Sequence, residues 1–413
     1  MNTWGMERGR ALIEGGNRIG SGLGWLVRLW NGGFERLIGR LDQGLESGTI
    51  RVRLPDGSER VLGGRVPGFD AELELRNWRA LSRLATSGSV GWYRAWELGE
   101  WDSPDPVTLF ALVMANGDSL GNIGRAGGLW RQIARLGHWF NRNSKAGAER
   151  NIHAHYDLGN DFYEAWLDPS MSYSSAVFDR NGSLEEAQHR KWTLLADRVG
   201  DVKTVLEIGC GWGGLADFFA RRGAQVTAIS LSDEQLAWAK ARQSPTIAFH
   251  KQDYRDVTGP FDAIVSVEMV EAVGRKYWPD YFDSVARCLK PGGRAAIQFI
   301  AMKDSLFEAY AASVDFIQAY VFPGGLLIRA SEFRKLAMER GLSWLDQRDF
   351  GLDYAETLRQ WRLRFDAAVA EKRLPAGFDE RFVRLWRYYL MYCEGGFRGG
   401  GITVSQATLV KQG

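Results

Sequence analysis

Cysteine is scarce in this sequence. There are three in 413 residues, at Cys210, Cys288 and Cys393, odd in number and far apart. That excludes a disulfide framework and any cysteine-based metal site, and it suits a reducing compartment. Long apolar runs are missing too: none approaches the roughly 20 residues that span a bilayer. The first residues carry scattered charges (Glu7, Arg8, Arg10, Glu14, Arg18) in place of a signal-peptide core. A cytoplasmic protein is the expectation. A large charge of one sign is also absent. The net charge is +2, so no global field recruits nucleic acid, and basic character must act locally.

What remains is an ordinary globular composition, 45% hydrophobic and 25% charged, on a chain long enough for two domains. Tryptophan is the exception, with 17 copies, several of them early (Trp4, Trp25, Trp30, Trp78, Trp92, Trp96, Trp101, Trp130, Trp139). Trp favours apolar–polar boundaries, so a lipid-facing surface and a set of large core residues are both open. Leu23, Leu26, Val27, Trp30, Phe34, Leu37, Ile38 and Leu41 form a helical stripe. Packing on its own domain is preferred over lying on a membrane interface.

From Thr49 the pattern alternates. Ile50, Val52 and Leu54, the turn Pro55-Asp-Gly57, then Val61 and Leu62 read as a hairpin. Residues 71–76 alternate again, 78–84 return to helix, and Asp102-Ser-Pro-Asp-Pro-Val107 reads as a helix start. Residues 1–130 are therefore expected to form a small α+β domain with no catalytic constellation. Residues 131–152 read as a basic linker (Arg131, Arg135, Arg142, Lys145, Arg150), either a solvated connector or a contact for an anionic surface such as phospholipid head groups.

Residues 153–413 read as α/β. The stretch Val205-Leu-Glu-Ile-Gly-Cys-Gly-Trp-Gly-Gly214 is a buried strand that breaks into glycines and enters a helix, which brings bare backbone to a ligand. Further strands are expected at 225–230, 247–249, 261–267 and 294–300, with helices at 233–242 and 277–289 and a turn at Pro291-Gly-Gly293. Strands alternating with helices imply a parallel sheet, with ligands beyond the strands' C-terminal ends. The glycine loop, Ser230, Asp253, Glu271 and Gln298 all fall there. The letters GxGxxG (Gly209, Gly211, Gly214) admit NAD. However, no Asp or Glu occupies the end of the second strand for the ribose hydroxyls, which counts against NAD.

Leu206-Glu-Ile-Gly-Cys-Gly-Trp-Gly213 and the Pro291-Gly-Gly293 turn resemble motifs of S-adenosylmethionine-dependent methyltransferases. His155-Tyr-Asp-Leu-Gly-Asn-Asp-Phe-Tyr163, Leu167-Asp-Pro169, Met171-Ser-Tyr-Ser-Ser-Ala176, Ser230-Leu-Ser-Asp-Glu-Gln235 and the run from Tyr388 to Phe397 resemble the cyclopropane-fatty-acyl-phospholipid synthase family. The likeness covers essentially residues 150–413. Residues 1–130 are more loosely similar to the N-terminal lipid-binding domain of its bacterial phospholipid-acting members. The implied fold is a Rossmann-like class I methyltransferase domain with a smaller N-terminal α+β lipid-binding domain. The implied substrate is an unsaturated acyl chain in a membrane phospholipid. This places the enzyme in the cytoplasm, peripherally at the inner membrane surface, and leaves room for a homodimer.

The resemblance also implies chemistry. An alkene attacks the sulfonium methyl, a carbocation forms, and a base removes a proton to close a ring. In the family that base is a bicarbonate ion held by a Glu, a His, a Tyr and two backbone amides. Carried over by position, Glu271 is the Glu, Tyr354 the Tyr, and Ser175 and Ile300 the amide donors. Gln298 stands where the family has His; its amide can donate to an anion but cannot titrate. Loss of the His opens a second outcome, a methyl-branched or methylene-bearing chain. Cys393 matches a residue near the substrate and reads as lining. For the cofactor the resemblance gives Tyr173, Glu207, Gly209, Gly211 and Gly213, the pair Ser230 and Gln235 for the ribose, and Asp253 and Tyr254 for adenine. No metal is implied. Two rivals remain: an amine N-methyltransferase on the same fold, and a non-catalytic lipid-binding protein with a degenerate site.

Overall fold

A computed structural model of the protein describes residues 8–10, 12–14, 33–121, 158–179 and 182–413. The basic linker, His155 and half of the N-terminal stripe (Leu23, Leu26, Val27 and Trp30) lie outside the described residues. The chain forms two compact units that interleave in sequence. One takes the N-terminal residues to 141 together with 303–323 and 376–402; the other takes 142–302, 324–375 and 403–413. The sequence reading runs two domains end to end, so the return of 303–323 and 376–402 to the first unit departs from it.

In the first unit, strands β1 (Ser47–Arg53), β2 (Glu59–Gly63), β3 (Val66–Leu75) and β4 (Trp101–Asp102) form a sheet in the order β2-β1-β3-β4. The expected hairpin is β1 and β2, paired antiparallel with Ile50 opposite Leu62. β1 alternates buried and exposed residues, as a half-covered strand must. The helix Pro106–Ala115 starts where expected, with Asp105 capping it and Pro106 at its first turn. It packs closely on the helix Glu380–Arg398; a Cβ on Gly395 would stand 2.4 Å from the Cβ of Phe110. Tyr93 is surrounded by Phe316, Tyr320 and Tyr388 at ring centroid distances of 4.9, 4.7 and 4.9 Å. Trp101 is buried and stacks on Trp92, and Phe34 stacks on Trp78. These early aromatics pack as core residues. Phe34 and Ile38 of the N-terminal stripe are likewise buried.

The second unit is a seven-stranded sheet in the order β10-β11-β9-β8-β5-β6-β7. Its strands are β5 (Thr204–Ile208), β6 (Gln225–Ser230), β7 (Ala248–Lys251), β8 (Phe261–Val267), β9 (Leu289–Met302), β10 (Leu342–Asp349) and β11 (Ile402–Lys411). β5 pairs parallel with β6 and β8, β6 with β7, and β8 with β9; β10 and β11 pair antiparallel. The helices Gly214–Arg221, Asp233–Arg242 and Trp278–Cys288 connect the parallel strands. Val205, Leu215, Phe219, Val226, Leu236, Val265 and Ala296 form the core between sheet and helices. This is the expected α/β domain with a largely parallel sheet. One detail differs. Pro291-Gly-Gly293 does not precede β9 as a separate turn. It bulges within it, where pairing jumps from Phe261–Leu289 to Ala263–Arg294.

Candidate active site

The parallel strands β5, β6 and β8 end together, and the residues after them build the site. β5 turns into the loop at Gly209, whose amide, like that of Cys210, donates to the carbonyl of Ile229 in β6 at 3.0 Å. Gly209 has φ 82° and Gly211 φ 51°, the left-handed region that glycine enters without strain. The two differ in surroundings. A Cβ on Gly209 would stand 2.3 Å from Cγ of Met269, whereas one on Gly211 would meet nothing within 4 Å. Gly209 is thus packed from behind, and Gly211 faces open space.

Glu207 precedes this loop and is buried. Its Oε2 has no hydrogen-bond partner among the described residues. Burial pushes its carboxyl up to about 8, although Lys191 and the backbone of Ala216 pull the other way. Lys191 is itself buried in the helix Leu184–Val199, donating to Ser174 Oγ at 2.7 Å and Gln188 Oε1 at 2.5 Å. Burial draws it down to about 8 against the charges of Glu268, Asp168 and Glu207. On β6, Ser230 Oγ lies 3.4 Å from Gln235 Oε1. Both oxygens of Asp253 accept from Arg255, at 2.8 and 2.6 Å. The buried Tyr254 hydroxyl has no partner among the described residues.

A second cluster lies after β8 and β9. Glu268 follows β8 with φ 53°, in the left-handed region that costs a residue with a side chain about 1–2 kcal/mol. Its Oε1 accepts from the Ser175 amide at 2.9 Å and from Gln298 Nε2 at 2.8 Å. Its Oε2 accepts from the Tyr354 hydroxyl at 2.7 Å. Gln298, fully buried on β9, also donates to Ser175 O at 3.2 Å and accepts from Gln406 Nε2 at 3.0 Å. Burial raises the Glu268 carboxyl despite these three donors. Glu268 sits deep in the protein while keeping part of its surface accessible.

Glu271 stands one helical turn further on. Its Oε1 accepts from the Ile300 amide, and its buried Oε2 has no partner among the described residues. Burial, and then the neighbouring charge of Glu268, push it up to about 8. Tyr173 and Tyr354 meet through buried Trp361, at centroid distances of 5.3 and 6.1 Å, so the two clusters share an aromatic wall.

The structure therefore brings Ser175, Gln298 and Tyr354 together, but on Glu268, while Glu271 and Ile300 pair with each other. The donors expected around a bicarbonate ion converge on a carboxylate of the chain itself. The sequence alone assigns no role to Glu268, Lys191, Trp361 or Gln406. A second acid three residues before Glu271, in a strand-end loop opposite Gln298, was the available signal. Cys393 belongs to the other unit, on the helix Glu380–Arg398. Burial and the charge of Asp315 push its thiol far up, which suits an inert side chain. Among the described residues no group of His, Cys, Asp and Glu is placed to hold a metal ion.

Residues 143–407 match the family described as mycolic acid cyclopropane synthetase. The chain belongs to that family. It is similar to a tuberculostearic acid methyltransferase of Mycobacterium tuberculosis, 36% identical over 80% of this chain and 81% of the relative. It is also similar to the cyclopropane-fatty-acyl-phospholipid synthase of Escherichia coli, 34% identical over 84% and 88%. Among solved structures, a mycolic acid cyclopropane synthase in complex with SAH and CTAB superposes with a TM-score of 0.59 at 26% identity, over 64% of this chain and 98% of that one. As a member of this cyclopropane synthetase family, the protein is an S-adenosylmethionine-dependent methyltransferase that transfers a methyl or methylene carbon to lipid acyl chains. The residues at the ends of β5 and β6 fit that cofactor. Gly211 leaves room beside bare backbone, and Glu207 offers an unpaired acidic oxygen to a cationic ligand. No described helix is long and apolar enough to cross a membrane.

Proposed function

We propose that the protein alkylates the double bond of an unsaturated acyl chain in a membrane phospholipid, giving a cyclopropane fatty acyl chain. The observation that carries this reading is the buried acidic cluster at the end of β8, one residue from Met269, which packs on the cofactor loop. Bound S-adenosylmethionine supplies the methyl group as an electrophile, its C–S bond breaking as a bond to one alkene carbon forms. Gly209, Gly211 and Gly213 would approach its amino-acid part, Ser230 and Gln235 would hold the ribose, Asp253 and Tyr254 would flank the adenine, and Tyr173 and Glu207 would add further contacts. The other alkene carbon becomes cationic. Loss of a proton from the new methyl group lets its C–H electron pair close the three-membered ring.

The surroundings suit a cation. Glu268 and Glu271 place acidic oxygens nearby, and Tyr173, Trp361 and Tyr354 supply π faces. Burial keeps out water, which would otherwise add to the cation. The phospholipid substrate sets the protein peripherally at the inner membrane surface. The Escherichia coli relative, similar along most of its length, carries that substrate class in its name.

A second reading has its own observation. Gln298 occupies the place expected for a His, and one relative is named for tuberculostearic acid. There a hydride shift and proton loss elsewhere would leave a methylene group; a saturated methyl branch would further require a hydride donor. The deciding experiment incubates the protein with S-adenosylmethionine and vesicles of a monounsaturated phospholipid, then reads the acyl chains by mass spectrometry and proton NMR. A gain of one CH2 with ring-proton signals is expected, and vinylidene signals would select the methylene reading. Unchanged chains would overturn both; calorimetry with S-adenosylhomocysteine would then separate a non-catalytic lipid binder from an enzyme acting on an amine.

A further inference from the structure

We infer that Glu268 is the base of the reaction: the chain itself supplies the carboxylate that removes the proton from the alkylated acyl chain. The inference rests on the proposed alkene alkylation and assigns its proton-transfer step.

Three features carry it. Donors from three separate segments, Ser175, Gln298 and Tyr354, all aim at this one carboxylate. Their arrangement is uneven. Oε1 takes two of them and is saturated, while Oε2 takes the Tyr354 hydroxyl alone and keeps a lone pair for an incoming proton. Second, Glu268 is held at φ 53°, where a glycine would sit freely, so the fold tolerates strain to place a side chain there. Third, the next residue, Met269, lies against Gly209, so the carboxylate begins one residue from the wall of the methyl-donor loop.

The chemistry asks for position more than for basicity. A proton next to a carbocation is far more acidic than any carboxylic acid, so three hydrogen bonds to Glu268 do not disable it. They fix where Oε2 stands and limit its motion. Glu271 completes the arrangement. The two neighbouring acids disfavour double ionisation, and only Glu268 receives three donors, whereas Glu271 takes the Ile300 amide alone. The step balances: the methyl C–H bond breaks, its electrons form the ring-closing C–C bond, and the proton goes to Oε2 of Glu268.

Two variants test this against the full-length protein. Glu268→Gln keeps the shape while replacing the carboxylate with an amide that cannot take up the proton, and should lower kcat by about 10²–10⁴-fold with S-adenosylhomocysteine affinity unchanged. Its residual product should include chains carrying a methyl and a hydroxyl group, because water then captures the cation. Glu268→Gly suits the backbone at this position, so it should fold, and it leaves space where the carboxylate was. Added formate or bicarbonate should restore its turnover while chloride does not, and the wild-type enzyme should be indifferent to both ions. A Glu268→Gln enzyme with kcat within about threefold of wild type overturns the assignment, as does a wild-type enzyme that stalls in carbonate-free buffer. If the wild-type protein leaves the acyl chains unchanged, the alkylation reading fails instead.

Discussion

Tyr354 and Gln298 reach the same carboxylate by unlike contacts, and substitution should separate them. Tyr354 gives Glu268 one hydroxyl bond from the first turn of the helix Gly351–Ala370. Gln298 is fully buried and binds three partners, Glu268, Ser175 O and Gln406. Tyr354→Phe should therefore cost about 1 kcal/mol of stability or less. It should slow kcat without changing cofactor affinity. Because the Tyr354 hydroxyl holds the Glu268 carboxyl down, its loss should move the acid limb of the pH–rate profile to higher pH. Gln298→Leu leaves three buried polar partners unmatched, so destabilisation of at least about 1–3 kcal/mol is expected. Urea melts beside the rate profiles check both. A Tyr354→Phe enzyme with an unmoved acid limb would detach this residue from the proton-transfer group. Glu268 itself is hard to single out from sequence because its partners lie 93, 30 and 86 residues away, and its spacing of three from Glu271 is the only local mark it leaves.

At the scale of elements, the turn from β5 into the helix Gly214–Arg221 offers a contrast between two glycines with similar backbones. Gly209→Ala would drive a Cβ into Met269 at 2.3 Å and strain a φ of 82°. It should destabilise the fold by more than about 1–2 kcal/mol, and through Met269 disturb Glu268. Gly211→Ala meets only open space and bears the conformational cost alone. It should fold, with a smaller loss in thermal stability, yet bind S-adenosylhomocysteine more weakly by calorimetry because its methyl enters the ligand's space. Equal affinity in Gly211→Ala and the wild type would move the cofactor away from this loop. This element was legible in advance, since strand, glycines and helix are contiguous and each leaves its own local mark. The same holds for the hairpin of β1 and β2 and for the Pro106 helix. The Pro291 bulge was not, because Pro-Gly-Gly reads as a turn until the register of the neighbouring strand β8 is known.

For the whole molecule, the interleaving of the units escaped the sequence because contacts such as Tyr93 with Phe316 and Tyr388 join segments separated by hundreds of residues. A further global property follows from burial. Glu207 and Glu271 both lie inside the second unit and both rise from 4.5 to about 8. Between those values the folded chain holds protons that the unfolded chain has released, so their contribution to stability is full below about pH 4.5 and fades as pH rises toward about 8. Each carboxyl contributes a slope of up to about 1.4 kcal/mol per pH unit. Lys191 acts with the opposite sign at higher pH. Lowered from 10.5 to about 8, it makes the unfolded chain the more protonated state there, and stability recovers with pH above that point. Glu207→Gln and Glu271→Gln each mimic the protonated acid and should remove one share of the decline. Urea midpoints at about pH 5, 6.5 and 8 should fall for the wild type relative to either variant, with the double variant flattest. If the wild-type and variant curves run parallel across this range, both carboxyls are ionised in the folded protein, and burial does not hold protons on Glu207 and Glu271.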